Sequence, residues 1–227
     1  MQLIQKAVNL QKDICPEFHR QPGFHQQVDK YLNIVNEEVE RLNGIVVDFL
    51  FAVRPMNAEL RRGDLTSLII ELAEFVSPEL KDARVKLVLN LAENMPPIDI
   101  DPALIKQALL NLIKNATAAM SSGGMLTIKS EFTDTDVIVS VADTGTGISK
   151  ENFVKIFDPY FTTKDNGTGL GLTVVFKIIK EHSGEINVES REGEGSTFII
   201  TLPMPHSERR LLSYSGGEIN EVSPIIS

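Results

Sequence analysis

Two asparagines stand four residues apart in the segment Asn111-Leu-Ile-Lys-Asn115. In a helix this spacing places both carboxamides on one face. Their oxygens can bind a hard cation, and their nitrogens can donate hydrogen bonds to phosphate. Two asparagines on a helix surface usually have no such role, so the pair indicates a binding face only in combination with other clusters.

Asp143 ends an apolar segment and is followed by two glycines, Gly145 and Gly147. An aspartate in this position commonly belongs to an ordinary turn. A buried carboxylate can also accept a hydrogen bond from an exocyclic amine such as that of adenine. Glycines without side chains would let a flat base approach the backbone. The segment therefore predicts either a turn or the base-binding part of a nucleotide site.

Three glycines, Gly167, Gly169 and Gly171, fall within five residues directly before an apolar helical pattern. Amides at a helix N-terminus bind anions, and glycines let phosphates lie against the backbone. No Gly-Lys-Ser/Thr follows, so this is not a Walker loop. The preceding segment, Phe157–Lys164, is aromatic and broken by proline. It predicts either a surface loop pinned by its rings or a mobile lid whose Lys164 reaches phosphate.

Strands and helices alternate from Arg54-Pro55 to about Pro203 and must position these clusters. Asp64 and Asp101 are predicted to cap helices over about 65–81 and 102–120, and Pro78 is expected to kink or restart the first. A short helix is predicted near 149–156, and strands at 85–91, 125–131, 137–142, 185–190 and 196–202. Adjacent strand pairs favour an α+β fold with a mainly antiparallel sheet and helices on one face.

Apolar residues follow a heptad spacing before this region. The seam consists of Val28, Leu32, Val35, Val39, Leu42, Val46, Phe49 and Val53. A shorter repeat lies upstream, and prolines separate the two. The pattern predicts a helical hairpin over residues 1–55 that pairs with a second copy to bury its seam, or else packs on its own domain. Residues 204–227 have no sustained period and predict a flexible tail.

The composition limits the classes of partner. The formal net charge of -9 argues against a general nucleic-acid interface. No apolar run has the length of a membrane span and no signal peptide is recognisable, so no membrane contact is expected from this segment. The single cysteine, Cys15, is consistent with a reducing compartment. We therefore expect a cytoplasmic protein, or the cytoplasmic part of a longer sensor.

In the order NLIKNA, DTGTG, FDPYFTTK and GTGLGL, the four clusters resemble the N, G1, F and G2 boxes of sensor histidine kinases. Those kinases belong to the GHKL ATPase superfamily, with gyrase and mismatch-repair ATPases. The resemblance covers about Asn57–Pro203. Within it, the sequence is similar to the nitrogen-regulator type of histidine kinase. It implies a two-layer α/β sandwich ATPase domain at 56–203, preceded by a hairpin that forms a dimeric helix bundle. The implied activity is transfer of a phosphoryl group from ATP to a histidine and then to the aspartate of a response-regulator receiver domain.

The resemblance also implies roles for individual residues. Asn115 would coordinate the Mg²⁺ that accompanies ATP. Asp143 would accept from the adenine amine, and Thr197 would support the network around Asp143. The further nucleotide contacts that it implies are Asn111, Lys114, Ala118, Gly145, Gly147, Ile148, Phe161, Lys164, Thr168, Gly169, Leu170, Gly171 and Leu172.

One feature of the family is missing from this sequence. The phosphoacceptor histidine of the family lies in a box resembling HExxNP or HExRxP, and no such string is present. His19 and His25 lie too close to the predicted long helix to take that place, so the phosphoacceptor is not identified. The chain is interpreted either as a fragment that starts just after the box or as a kinase-like protein without one.

Three functions follow from these alternatives. The leading hypothesis is the catalytic core of a histidine kinase. The second is a dimeric kinase-like module that binds ATP without phosphotransfer. The third, an ATPase of the gyrase or mismatch-repair type, is disfavoured because those proteins lack the heptad hairpin directly before the domain. Under the first two we expect the chain to bind ATP but not to phosphorylate itself.

Overall fold

The computed structural model describes residues 57–164 and 167–204, together with helical residues 30–35, 38, 39, 42 and 46. The chain divides into two compact units, Met1–Val47 and Asp48–Ser227, which are described separately. In the first unit, five seam residues are described and helical: Leu32 is partly buried, and Val35, Val39, Leu42 and Val46 are about half exposed. The predicted first arm, both N-terminal histidines and the predicted tail after Met204 lie outside the described residues.

The second unit contains seven strands and four helices among its described residues. In chain order they are β1 (Arg61–Gly63), α1 (Leu65–Asp82), β2 (Val85–Asn90), β3 (Ile98–Ile100), α2 (Pro102–Ala119), β4 (Gly124–Phe132), β5 (Asp136–Asp143), α3 (Lys150–Phe153), α4 (Gly171–Glu181), β6 (Glu185–Arg191) and β7 (Gly195–Pro203). Within this part of the chain, no helix has the length and apolar character needed to cross a membrane.

Five strands form one sheet in the order β2-β4-β5-β7-β6. The β2–β4 pair is parallel, and the other three pairs are antiparallel. The α+β prediction of a mixed, mainly antiparallel sheet is therefore confirmed. A second, two-stranded sheet of β1 and β3 was not predicted, because each strand is only three residues long, too short for a periodic pattern to be recognised.

Two capped helices begin where the sequence predicts. The Asp64 carboxylate accepts from the Ser67 amide (3.1 Å) and the Ser67 hydroxyl (2.6 Å), which starts α1. The Asp101 carboxylate accepts from the amides of Ala103 and Leu104, with proline at the first helical position of α2. Helix α1 continues through Pro78 to Asp82, so of the two effects predicted for Pro78, a kink or a restart of the helix, the restart is wrong.

The core forms between the helices and one face of the sheet. Strands β5 and β7 alternate, and their buried side chains pack against apolar residues of α1, α2 and α4. The fully buried set includes Ile69, Leu72, Leu109, Leu112, Leu126, Ile128, Val174 and Ile178. The core therefore fixes α2 and α4, the helices that carry two of the four clusters, against the sheet that carries Asp143.

A buried histidine joins the ends of α2 and α4. His182 follows α4 and is only 3% exposed. Its Nε2 atom accepts from the backbone amide of Asp101 (2.9 Å), and its Nδ1 atom lies 2.7 Å from the carbonyl oxygen of Ile178. Since an amide only donates and a carbonyl only accepts, the ring carries its proton on Nδ1. This neutral tautomer holds the N-terminal cap of α2 against the C-terminal end of α4.

Candidate nucleotide-binding site

Asp143 is the last residue of β5 and is 8% exposed. Its Oδ1 atom accepts from the backbone amide of Gly145 at 2.8 Å. Burial raises the pKa of this carboxyl from its ordinary value, and hydrogen bonds from the amides of Gly145 and Ser196, together with the positive charge of Lys164, act in the opposite direction. The result is a fixed carboxylate whose hydrogen-bond geometry is set by the protein, as a specific acceptor requires.

Ser196, and not Thr197, lies beside Asp143. The register of β5 and β7 pairs Asp143 with Ser196, and Ala142 with Thr197. Ser196 and Phe198 are buried whereas Thr197 is only partly buried, so the Thr197 side chain lies on the other face of the sheet. The structure thus does not bring Thr197 to Asp143, and the two-residue period of β7 was the signal that could have assigned Ser196.

Two serines join the loop after β5 to the β6–β7 hairpin. Ser190 Oγ accepts from the Ile148 amide (2.9 Å), donates to the Gly195 carbonyl (2.8 Å) and lies 3.0 Å from Ser196 Oγ. Ile148 packs partly buried against the core. The predicted wall of the base is therefore held by a serine pair that the sequence reasoning missed.

The glycines of the loop after β5 are required by the protein's own backbone. Gly147 has φ +66°, and a Cβ atom there would overlap the carbonyl oxygen of Arg191. A Cβ on Gly145 would lie 2.7 Å from the carbonyl oxygen of Ala119. The loop is also hydrogen-bonded on both sides, from Thr146 to Ala119 and from Gly193 to Thr146. Close packing between the end of α2 and the β6–β7 turn is thus enough to explain both glycines.

The three glycines before α4 have different surroundings. Gly169 has φ +68°, and a Cβ atom there would overlap the backbone carbonyl group of Tyr160. At Gly167 it would overlap the Thr162 hydroxyl. At Gly171 the nearest heavy atom is Asn115 Nδ2, at 3.9 Å. Gly167 and Gly169 therefore make room for the predicted lid segment, Phe157–Lys164. Of the three glycines, only Gly171 leaves space toward Asn115.

The N-terminus of α4 meets the asparagine face of α2. Asn111 Nδ2 donates to the carbonyl oxygen of Gly171 at 3.3 Å. In the described part of the chain, no side chain caps α4 at Leu170. Because the first-turn amides of a helix carry partial positive charge, this end of the eleven-residue helix can receive an anion. The structure thus brings Asn111, Asn115 and Gly171 together at this end of α4.

Asn115 faces a cation in this structure. Lys164 Nζ donates to Asn115 Oδ1 at 2.9 Å, and an ammonium group can only donate, so the amide oxygen is directed at the positive charge. A single protein oxygen of this kind fits Mg²⁺, which keeps several waters and takes phosphate oxygens as further ligands. Among the described residues no group of three or more His, Cys, Asp or Glu could hold a metal ion. A metal here would thus rely on Asn115 and the phosphates.

The electrostatics of Lys164 couple the segment Phe157–Lys164 to Asp143 at the end of β5. The side chain is exposed, yet the ammonium group lies close enough to protein atoms that desolvation lowers its pKa, while the Asp143 carboxylate raises it. The Lys164 ammonium group is thus attracted both to the Asn115 oxygen and to the Asp143 carboxylate.

The lid segment, Phe157–Lys164, contains a strained turn. Phe161 N donates to the carbonyl of Asp158 (3.2 Å) across Pro159 and Tyr160, and Tyr160 has φ +65°. This is the position of a type II turn that favours glycine or asparagine. The Thr173 hydroxyl donates to the carbonyl of Phe157 (3.2 Å), which ties the start of the lid to α4.

The remaining predicted contacts are placed as follows. Lys114 and Ala118 are exposed on α2. Phe161 and Leu172 are partly buried against the core, and Leu170 is fully buried, so its side chain is unavailable to a ligand. The hydroxyl of Thr168 accepts from the Leu170 amide at 3.2 Å, which shapes the turn before α4.

This arrangement matches solved kinase domains. The catalytic domain of the histidine kinase ThkA in its nucleotide-free form is 36% identical, with a TM-score of 0.59, and the match covers 66% of this chain and 99% of that one. The chain belongs to the histidine kinase family. The family model described as "Histidine kinase-, DNA gyrase B-, and HSP90-like ATPase" matches residues 100–206. The resemblance carried by the four boxes is thereby confirmed.

Curated histidine kinases match over most of this chain. The sensor histidine kinase ZraS of Escherichia coli is 39% identical over 201 residues, which is 88% of this chain and 43% of that protein. Sporulation kinase E of Bacillus subtilis is 36% identical over 183 residues, which is 79% of this chain and 25% of that protein. The chain therefore spans a quarter of the length of sporulation kinase E and less than half of the length of ZraS.

Two longer kinase structures share the fold. Full-length ShkA in complex with AMPPNP has a TM-score of 0.68 and 27% identity, over 78% of this chain and 38% of that one. Histidine kinase ThkA in complex with the response regulator protein TrrA has a TM-score of 0.67 and 30% identity, over 90% and 59% of the two chains.

Proposed function

We propose that this chain is the catalytic core of a sensor histidine kinase, which binds Mg-ATP for phosphoryl transfer to a histidine and then to a response-regulator aspartate. The observation that carries the proposal is the convergence of three segments on one opening. The Asn115 oxygen of α2, the uncapped N-terminus of α4 at Gly171 and the lid ammonium of Lys164 surround the same space.

The chain's own residues divide the work of binding. Asp143, held by the amides of Gly145 and Ser196, is the acceptor for the exocyclic amine of the base. The first-turn amides of α4 receive phosphate, and Asn115 offers its oxygen to the metal. When bound, Mg²⁺ would be held by the Asn115 oxygen and would supply positive charge against the negative charge that develops during transfer. The protein's contribution is therefore mainly positioning and electrostatics rather than covalent chemistry.

Calorimetric titration with Mg-ATP tests this proposal. Asn115→Ala and Asn115→Asp should both weaken Mg-ATP binding, whereas Asn187→Ala, an exposed asparagine on β6, should bind as the unmutated chain does. Asp143→Asn should reduce the preference for ATP over GTP, because an amide presents a donor as well as an acceptor. Unchanged affinity in both Asn115 variants would remove the metal assignment, and equal competition by ATP and GTP in the unmutated chain would remove the role of Asp143.

A second candidate function is a dimeric ATP-binding module without phosphotransfer. The observation that favours it is that this sequence contains no string resembling the histidine box of the family. Incubation with γ-labelled ATP, followed by an acid-lability check, should leave this chain unlabelled. Acid-labile label that disappears in His19→Gln or His25→Gln would contradict that expectation. A longer histidine kinase chain carrying a box separates the two functions: transfer to it supports the catalytic core, and no transfer supports the binding module.

The partners proposed for the chain follow from the same family membership. A response-regulator receiver domain is the proposed acceptor, as supported by the relative that was solved with response regulator TrrA. The second proposed partner is another copy of this chain. The half-exposed seam residues Val35, Val39, Leu42 and Val46 support that proposal, because a heptad seam is buried by pairing.

A further inference from the structure

The oxygen assigned to the metal already has a partner. Asn115 Oδ1 accepts from Lys164 Nζ at 2.9 Å, across 49 residues of sequence. The Asp143 carboxylate attracts the same ammonium group. An ordinary exposed lysine extends into water, whereas this one is placed on one amide oxygen inside the candidate site. The lysine ammonium group is a compact positive charge with three donors, so it can take the place of a small cation beside an oxygen.

The backbone of Lys164 is part of the lid. Its amide donates to the Thr162 hydroxyl (3.1 Å), and its carbonyl accepts from the Gly167 amide (3.1 Å). These two bonds fix the point from which the side chain reaches Asn115. Lys164 thus links Asn115 to the Thr162 hydroxyl and the Gly167 amide.

Mg²⁺ and the ammonium group compete for the same place. Mg²⁺ binds oxygen at about 2.1 Å and holds its other ligands in a rigid octahedron. A second cation 2.9 Å from the same oxygen would lie against that shell and repel the metal. The ammonium group must therefore leave the oxygen when the metal arrives.

We propose that Lys164 is a tethered cation that occupies the Asn115 oxygen in the absence of Mg²⁺ and is displaced by the metal. This inference rests on the proposed Mg-ATP function. The Mg²⁺ concentration that nucleotide binding requires then depends on how much of the time Lys164 occupies the Asn115 oxygen. It also keeps the amide of Asn115 turned with its oxygen toward the ligand space before any metal is bound.

Population arithmetic sets the size of the effect. The site accepts metal only when Lys164 has left the Asn115 oxygen. The apparent dissociation constant for the metal therefore equals the intrinsic constant divided by the fraction of molecules in which that oxygen is free of Lys164. If Lys164 occupies the oxygen for two thirds of the time, its removal lowers the constant about threefold. Higher occupancy gives a proportionally larger change.

The experiment measures the half-saturating Mg²⁺ concentration at a fixed, saturating concentration of a fluorescent ATP analogue. Lys164→Met, which keeps the length of the side chain without its charge, should lower that concentration by about threefold or more. Lys164→Arg keeps the charge and should stay closer to the unmutated chain. Lys155→Met removes the charge of an exposed lysine before the lid and controls for net charge; its half-saturating Mg²⁺ should be unchanged.

Each outcome decides the proposal. A lowered half-saturating Mg²⁺ in Lys164→Met alone supports it. An unchanged or raised value in Lys164→Met would overturn it, and weaker nucleotide binding at every Mg²⁺ concentration would then show that Lys164 contacts phosphate instead. An equal decrease in Lys155→Met would reduce the effect to net charge and also overturn it. If the unmutated chain binds no nucleotide at any Mg²⁺ concentration, the proposed function itself fails, and this inference with it.

Discussion

Replacing His182 by leucine should destabilise the domain through one specific bond. The ring accepts from the Asp101 amide at 2.9 Å and contacts the Ile178 carbonyl at 2.7 Å. Leucine fills a similar volume and offers neither function. The Ile178 carbonyl still accepts from the backbone amide of residue 182 (3.2 Å), so the Asp101 amide suffers the larger loss.

The magnitude follows from these partners. Leaving a buried donor without its acceptor costs about 1–3 kcal/mol, and loss of the second hydrogen bond adds about 1 kcal/mol. We therefore expect His182→Leu to lower the free energy of unfolding by about 2–4 kcal/mol. His182→Gln, which keeps an acceptor on a flexible side chain, should lose less.

Urea denaturation of the unmutated chain, His182→Leu and His182→Gln measures this difference, with Glu181→Leu as the control. Glu181→Leu, an exposed neighbour on the same helix, should stay within about 0.5 kcal/mol of the unmutated chain. Mg-ATP affinity should also fall in His182→Leu, because the residue joins α2 to α4 and both helices line the site. A free energy of unfolding for His182→Leu equal to that of Glu181→Leu would refute the assignment of this histidine as a structural link.

The remaining predictions concern a helix cap, the lid turn and the seam. The Ser67 hydroxyl and amide lower the pKa of Asp64 below its ordinary value, so the cap stabilises α1 above the unfolded pKa and is lost as pH falls through the folded one. Asp64→Ala should cost about 1 kcal/mol at pH 7 and less in acid, whereas Asp64→Asn should keep the cap; an equal loss at both pH values would contradict this. The free energy of unfolding of Tyr160→Val, measured in urea, should be about 1 kcal/mol or more below that of Tyr160→Gly, because φ +65° penalises a β-branched residue. The reverse order would contradict the argument that this turn is strained. Val39→Glu or Leu42→Glu should dissociate a homodimer in sedimentation experiments, an idea that a monomeric unmutated chain at high concentration would defeat.

Local elements of this protein could be predicted from the sequence. Asp64 and Asp101 start their helices because a carboxylate accepts from amides two or three residues ahead, a local interaction. The long antiparallel strands were found within one or two residues, since their alternation reports burial on one face. The four boxes, read in order, indicated the family.

Contacts between distant segments decided the rest. The two-residue period of β7 places Ser196 and Thr197 on opposite faces, but the register of β5 against β7 decides that Ser196 is the one beside Asp143. The parallel pairing of β2 with β4 depends on the path of the chain across α2, which no local pattern records. The same holds for His182 on Asp101, 81 residues away.

The glycines and Lys164 show this division most clearly. The sequence by itself determined that the segment before α4 is rich in glycine and that a lysine precedes it. The tertiary structure decided that Gly169 makes room for the backbone of Tyr160, that Gly171 borders open space, and that Lys164 rests on the oxygen of Asn115. The physical reason is that a residue type states what a side chain can do, whereas its partner depends on which distant backbone the fold brings within 3–4 Å.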